Sequence, residues 1–203
     1  MIHTVVKNLL VSDANFIFIV QKQHNLKYGL TDILQNIAPG SKLVEIDGLT
    51  DGAACTVLCA AHLIDNDAPL LIANSDQYLE WDSQAFVDFL FNDDSLDGLI
   101  STFIKDEPDT KWSYAKLNDK DYVVEVQEKV PISNIATTGI YMWRRGSDYV
   151  KYAKQMIKLN IRANNEFYVF PVYNEAIKDG LKFKVDHCKK MWGIGYCLFL
   201  IYL

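Results

Sequence analysis

Asn74-Ser75-Asp76-Gln77-Tyr78 follows directly on the apolar run Pro69–Asn74. A carboxylate delivered straight after a buried strand can hold a divalent cation against phosphate oxygens. Magnesium suits such a place, because it takes one or two protein carboxylates and fills its shell with substrate phosphates and water. Asn-Ser-Asp is also good turn chemistry, so Asp76 read alone either grips a cation or starts a turn. Leu49-Thr50-Asp51-Gly52-Ala53-Ala54 is a second candidate, a loop of small residues ahead of a helix. Its amides could approach a flat ligand or an anion, or Asp51 could simply cap the helix.

Three further segments carry chemistry-bearing side chains. Glu128-Lys129 closes an expected strand, where Lys129 either reaches a phosphate as a point charge or sits on a solvated edge. Asn164-Asn165-Glu166 precedes the apolar-aromatic stretch Phe167–Tyr173. Glu166 could accept hydrogen bonds from sugar hydroxyls or cap the next helix. Trp192-Gly193-Ile194-Gly195 reads as a tight turn punctuated by glycine. Cys55 and Cys59 stand one helical turn apart with nothing nearby to complete a tetrahedral metal set, so they read as buried, apolar thiols.

The elements that must position these residues alternate in type. Ile2, Val5, Val6, Leu9 and Leu10 have helical spacing, and Asn15–Gln21 reads as a buried strand. Leu26–Ile37 is amphipathic and stops at Ala38-Pro39-Gly40, and Lys42–Ile46 is a short strand. A helix is expected from Gly52 to Ile64, then the strand Pro69–Asn74, whose unbroken apolar run suits burial on both faces. A helix over Asp82–Phe91 and a strand over Gly98–Ile104 continue the rhythm, which implies parallel pairing through right-handed crossovers. Lys111–Leu117, Tyr122–Gln127 and Thr137–Trp143 are strands separated by short polar turns, hence local antiparallel pairing. Helices over Ser147–Leu159 and Phe170–Lys178 and a strand over Lys182–Asp186 follow. The reading is a single three-layer α/β/α domain with a mostly parallel, mixed sheet. Its ligands belong outside the carboxyl ends of the strands.

Composition bounds the function. A chain of 203 residues, half apolar, can bury a core without disulfides or a structural metal. Its net charge of −6 argues against a nucleic-acid or anionic-membrane surface but not against one phosphorylated small molecule in a local pocket. The longest apolar runs, Phe16–Val20 and Tyr196–Leu203, are too short to span a bilayer, and Lys7, Ser12 and Asp13 interrupt any export signal. Four cysteines, Cys55, Cys59, Cys188 and Cys197, then read as reduced thiols of a cytoplasmic protein.

Taken in order, Gly52–Ala54, Asn74-Ser75-Asp76, Glu128-Lys129 with Pro131, Thr138-Gly139-Ile140-Tyr141, Asn165-Glu166 and Trp192-Gly193-Ile194-Gly195 resemble the sugar nucleotidyltransferases, the nucleoside-diphosphate-sugar pyrophosphorylases. The resemblance covers nearly the whole chain. It implies a Rossmann-like fold akin to the GT-A glycosyltransferases. It also implies nucleotidyl transfer from an NTP to a sugar 1-phosphate or similar phosphorylated small molecule, with pyrophosphate leaving. Such an activity supplies activated sugars for surface polysaccharide. Carried over by position, Asp76 becomes the Mg2+ ligand and, with Lys129, the catalytic pair. Gly52, Ala53 and Asn74 fall to the nucleotide. Glu128, Lys129, Gly139, Tyr141 and Glu166 fall to the sugar phosphate.

The chain departs from that pattern in three places. The family opens with a strand and a glycine-rich, arginine- and lysine-bearing loop around the NTP phosphates, whereas Met1–Val6 looks like the helix that follows such a loop. The expectation is therefore a domain truncated at its N-terminus, with slow turnover. Gly193 stands where the family often has a second acidic metal ligand. After Gly195 the family continues with a Thr-Pro-Glu-like helix start, whereas this chain ends in the β-prone run Tyr196–Leu203, which could fill the gap of a lost strand. Two other readings stay open: a GT-A-type glycosyltransferase that consumes a nucleotide-sugar, and a non-catalytic homologue that only binds ligand. The partners the resemblance implies are the NTP and the sugar 1-phosphate, with a homo-oligomer left open.

Overall fold

The computed structural model describes residues 1–194, so the run Tyr196–Leu203, Cys197 included, lies outside the described residues. The N-terminal part comprises α1 (Ile2–Asn8), β1 (Ile17–Gln21), α2 (Lys22–Tyr28), α3 (Leu30–Ile37) and β2 (Lys42–Ile46). The single helix expected over Leu26–Ile37 is instead two. Gly29 adopts the left-handed conformation (φ 62°), closes α2 by donating to Asn25 O, and starts α3. A glycine inside a helical pattern does this easily because it carries no Cβ to clash. β1 and β2 pair in parallel from Ile17↔Lys42 to Gln21↔Ile46.

Next come α4 (Ala53–Leu58), α5 (Ala61–Ile64), β3 (Leu70–Ala73), β4 (Gln77–Glu80), α6 (Ser83–Phe91) and β5 (Gly98–Ile104). The helix expected over Gly52–Ile64 breaks at Cys59-Ala60, where Cys59 N bonds Thr56 O and Ala60 N bonds Val57 O. These i→i+3 bonds tighten the turn between α4 and α5. Asp82 caps α6, its carboxylate accepting from Ala85 N at 3.0 Å.

The remaining elements are β6 (Tyr114–Leu117), β7 (Val123–Gln127), β8 (Ile135–Trp143), α7 (Gly146–Lys158), α8 (Val172–Lys178), β9 (Phe183–His187) and β10 (Lys190–Gly193). The main sheet has the order β7-β6-β8-β5-β9, and β3 also pairs with β8. β3 and β5 both lie antiparallel to β8, and β9 lies parallel to β5. Strands β3, β5 and β9 therefore share one direction; the carboxyl end of β5 meets the start of β8, and that of β3 meets Ile140 farther along it. β10 pairs antiparallel with β4, Gly193 opposite Gln77. Trp192 and Gly193 are thus strand residues, not the expected turn; the pairing partner lies over a hundred residues upstream, beyond any local signal.

The sheet has an apolar layer on each face, as the alternation along β8 shows. Tyr141 and Trp143 face one core with α4, α5, α7 and α8, while Ile140 and Met142 face another with α1 and α6. In the first core Trp143 stacks on Tyr173 at 4.5 Å, and Phe183 meets Tyr173 edge-on at 4.7 Å. The buried Tyr173 hydroxyl donates to the carbonyls of Leu99 (3.2 Å) and Met142 (3.3 Å), so the ring enters the core without an orphaned donor. β1 is covered on both sides too: Ile19 joins the first core, while Phe18 and Val20 pack with Val6, Leu34 and Ala38 in a third. Helix α1 spans two cores, Val5 facing one and Val6 the other. Its last residue, Asn8, exchanges bonds with β4: Asn8 Nδ2 donates to Leu79 O and Leu79 N to Asn8 Oδ1, both at 2.9 Å.

Candidate functional site

Asp76 is exposed on the turn between β3 and β4, at the carboxyl end of β3. Its carbonyl accepts from Ile194 N at 2.8 Å, which ties the turn to the end of β10. Beside it, Asn74 N donates to Gly139 O at 3.2 Å. Gly139 sits at an irregularity in β8, where the pairing with β5 shifts between Ile100 and Thr102. The hydroxyls of Thr137 (3.3 Å) and Thr138 (3.2 Å) both donate to Ser101 O, and Gly139 N donates to Thr137 Oγ1 at 3.1 Å. These bonds hold Gly139 at φ +85°, where any Cβ would collide with the Asn74 amide and lie 3.1 Å from Gln77 Oε1. Only glycine fits between those two side chains. Gln77 is buried, and its amide nitrogen has no hydrogen-bond partner among the described residues.

Glu128 and Lys129 follow the end of β7. Lys129 has a left-handed backbone (φ 56°), and its amide donates to Ser113 Oγ at 3.2 Å. Ser113 O in turn accepts from Thr137 N at 2.9 Å, so the lysine is tied to the same stretch of β8 that carries Gly139. The Lys129 ammonium donates to the Tyr168 hydroxyl at 3.3 Å and lies 5.3 Å from that ring's centroid. Burial pushes the Glu128 carboxyl above its ordinary range, against the smaller opposing effects of the Ser113 hydroxyl and the Lys129 charge.

The small-residue loop and the residue after the Asn-Asn-Glu segment, 113 residues apart from Ala54 to Phe167, are bolted together. Phe167 N donates to Asp51 O at 2.9 Å and Ala54 N donates to Phe167 O at 2.8 Å. Arg162 pairs with the Asp51 carboxylate at 3.1 Å, donates to Asn165 O at 2.9 Å, and lies 3.9 Å over the Phe167 ring. Gly52, at φ +126°, has no room for a Cβ, which would stand 2.6 Å from both Phe167 N and O. Asp51 is accordingly not a cap: Gly52 occupies that position of α4, with no side-chain capping bond. Glu166 is not a cap either. It is exposed in a small bridge with Ala163, and α8 begins after Pro171.

The structure thus gathers Asn74 and Gly139 on one side of the rim, with Asp76 two residues beyond Asn74. Lys129 lies against the segment that carries Glu166, and that segment against Gly52–Ala54. Tyr141 faces inward instead: it is 8% exposed and its ring stacks on Phe170 at 5.5 Å. Ser113, Arg162 and Tyr168 do much of the joining, and sequence reasoning passed over all three, because their partners are distant in the chain. The thiols also differ from expectation, since Cys59 is exposed and Cys55 half-buried, and Cys188 alone is buried among the described cysteines. Cys59 is exposed because it falls at the break between α4 and α5.

Among the described residues no three His, Cys, Asp or Glu side chains gather as a metal cage. A cation at this rim would rest on the exposed Asp76 carboxylate and on phosphate oxygens of a ligand, a donor set that magnesium accepts.

Several solved structures share this fold. A nucleoside-diphosphate-sugar pyrophosphorylase from Vibrio cholerae RC9 superposes with a TM-score of 0.77 at 22% identity, covering 95% of this chain and 80% of that one. A UDP-glucose pyrophosphorylase complexed with UDP-glucose gives 0.73 at 13% identity, with 94% and 80% covered. The inositol-1-phosphate CTP transferase from T. maritima gives 0.58 at 14% identity, with 83% and 64% covered. No curated protein sequence matches the chain. A family model described as Nucleotidyl transferase matches residues 1–188. Over that span the chain belongs to the nucleotidyl transferase family.

Proposed function

We propose that this enzyme transfers a nucleotidyl group from an NTP to a sugar 1-phosphate. A phosphate oxygen of the sugar forms a new bond to the α-phosphorus. The bond from that phosphorus to the bridging oxygen breaks, and its electron pair leaves with pyrophosphate. The observation that carries the reading is Lys129: an ammonium pinned beside the Glu166 segment, making no ion pair among the described residues, on the same β-strand framework as Gly139 and Asn74. A cation so placed suits a phosphate monoester, and Glu166 suits the hydroxyls of a sugar attached to it. The nucleotide is assigned to Ala53 and Asn74, with Gly52, buried against the Phe167 backbone, shaping the loop that carries Ala53.

Asp76 would hold Mg2+, which when bound would supply charge neutralisation at the phosphates. The protein's own share is alignment of two anionic substrates, for which little covalent chemistry is needed. Among the described residues no helix is long and apolar enough to cross a membrane. The nucleotide-sugar produced is the donor class that polysaccharide synthesis consumes.

The test is pyrophosphate release with Mg2+, a panel of NTPs and a panel of sugar 1-phosphates. Asp76→Asn should lower the rate by about 100-fold, the scale on which loss of one preorganised charge-stabilising group acts. Unchanged turnover in that variant would remove Asp76 from the chemistry. Binding of nucleotide-sugars with sugar transfer and no pyrophosphate would assign the site to a glycosyltransferase instead.

A further inference from the structure

Lys129 is held at both ends. Its backbone amide is fixed on Ser113, and its ammonium meets Tyr168 through the hydroxyl at 3.3 Å and the ring face at 5.3 Å. Tyr168 is itself on a firm base, because the backbone of its neighbour Phe167 bonds both Asp51 and Ala54. A lysine has four rotatable side-chain bonds, and an exposed one samples many rotamers. Here one rotamer is selected by a partner that is neutral. A carboxylate in the same place would compete with an incoming anion, whereas an aromatic ring and a hydroxyl direct the ammonium without cancelling its charge.

We propose that Tyr168 is a positioning residue that aims the Lys129 ammonium at the phosphate of the acceptor substrate. The proposal rests on the nucleotidyl-transfer reading above, and the acceptor is a phosphate monoester of a sugar. Tyr168 touches the lysine and not the reacting atoms, so its removal acts on acceptor affinity.

The experiment uses Tyr168→Phe, which keeps the ring, and Tyr168→Leu, which removes ring and hydroxyl, with α-glucose 1-phosphate as the probe. Lysines are ¹³C-methylated and the Lys129 methyl resonance is identified by its absence in Lys129→Arg. In the unsubstituted enzyme that resonance is displaced upfield by the ring and moves on titration with the probe. Tyr168→Phe should keep the upfield position, and Tyr168→Leu should lose it. In pyrophosphate release, KM for the sugar phosphate should rise about 3-fold in the Phe variant and about 10-fold in the Leu variant, with KM for the NTP unchanged. Thermal unfolding of both variants separates this from a general loss of structure, and the Phe variant stands if the Leu variant folds poorly. If the enzyme responds to the probe but both variants keep its KM, the positioning role is overturned alone. If the Lys129 resonance ignores the probe and no pyrophosphate appears with any sugar phosphate, the phosphate role of Lys129 and the nucleotidyl-transfer reading fall together.

Discussion

Replacing Gly52 by alanine would add one carbon where the chain has no space for it. At φ +126° and ψ 174° the backbone lies in a region essentially reserved for glycine, and an L-residue there costs about 1–3 kcal/mol. The new Cβ would also stand 2.6 Å from Phe167 N and O, far inside van der Waals contact. Relief requires Phe167 to retreat, which breaks its bonds with Asp51 O (2.9 Å) and Ala54 N (2.8 Å). Two backbone hydrogen bonds contribute about 1–3 kcal/mol net. Gly52→Ala should therefore lose about 4 kcal/mol, a large part of the ~5–15 kcal/mol that holds a domain folded. Gly180→Ala is the control, since Gly180 also has positive φ (+91°) but nothing within 4 Å of its would-be Cβ. It should lose only the conformational part, about 1–2 kcal/mol. Urea denaturation at constant m reads the difference directly from the midpoints. Equal midpoints for the two variants, with the Ala54 and Phe167 amides still protected from hydrogen exchange, would refute the account of the loop junction.

Other outcomes follow from the same geometry. Tyr173→Phe removes a hydroxyl shared by Leu99 O and Met142 O while leaving the ring stacked, and should cost about 1 kcal/mol in the same urea experiment. Because burial raises the Glu128 carboxyl, the native state holds that proton more tightly than the unfolded chain does. Its contribution is complete below the unfolded carboxylate range and lost as pH rises through the higher folded value. Glu128→Gln should flatten stability against pH in that window, and an unchanged slope would contradict the burial argument. Mass mapping after brief alkylation at pH 8 should find Cys59 modified before Cys55 and Cys188. Cys188, pushed up to about 11 by burial and then by the Asp186 charge, should react last among Cys55, Cys59 and Cys188.

Local periodicity carried the element types well where the physics is local. Leu70–Ala73 is a strand with helices on both sides, as its unbroken apolar run suggests, and the helix expected over Asp82–Phe91 forms at Ser83–Phe91. The breaks at Gly29 and Cys59-Ala60 escaped because an amphipathic pattern crosses the first and a nearly all-apolar run the second while the backbone turns. The β4–β10 pair escaped for another reason: its four-residue strands have little pattern of their own, and each exists because the other supplies hydrogen bonds. The candidate site divides similarly. Asp76 and Gly139 stand out by residue type after or within strands. Tyr168 and Arg162 act only through contacts with Lys129, Asp51 and Phe167, which chain folding creates and spacing does not encode.

Helix α1 is a seven-residue rod whose neighbouring valines, Val5 and Val6, belong to different cores, while Asn8 is keyed into β4 beside Leu79. Repacking either interior tips the same rod. Volume changes introduced at Phe18 or Leu34 should thus fail to sum with changes at Leu79 or Leu90, a non-additive bookkeeping between positions that never touch. Sequence variation on one side of this helix is therefore constrained by residues on the other.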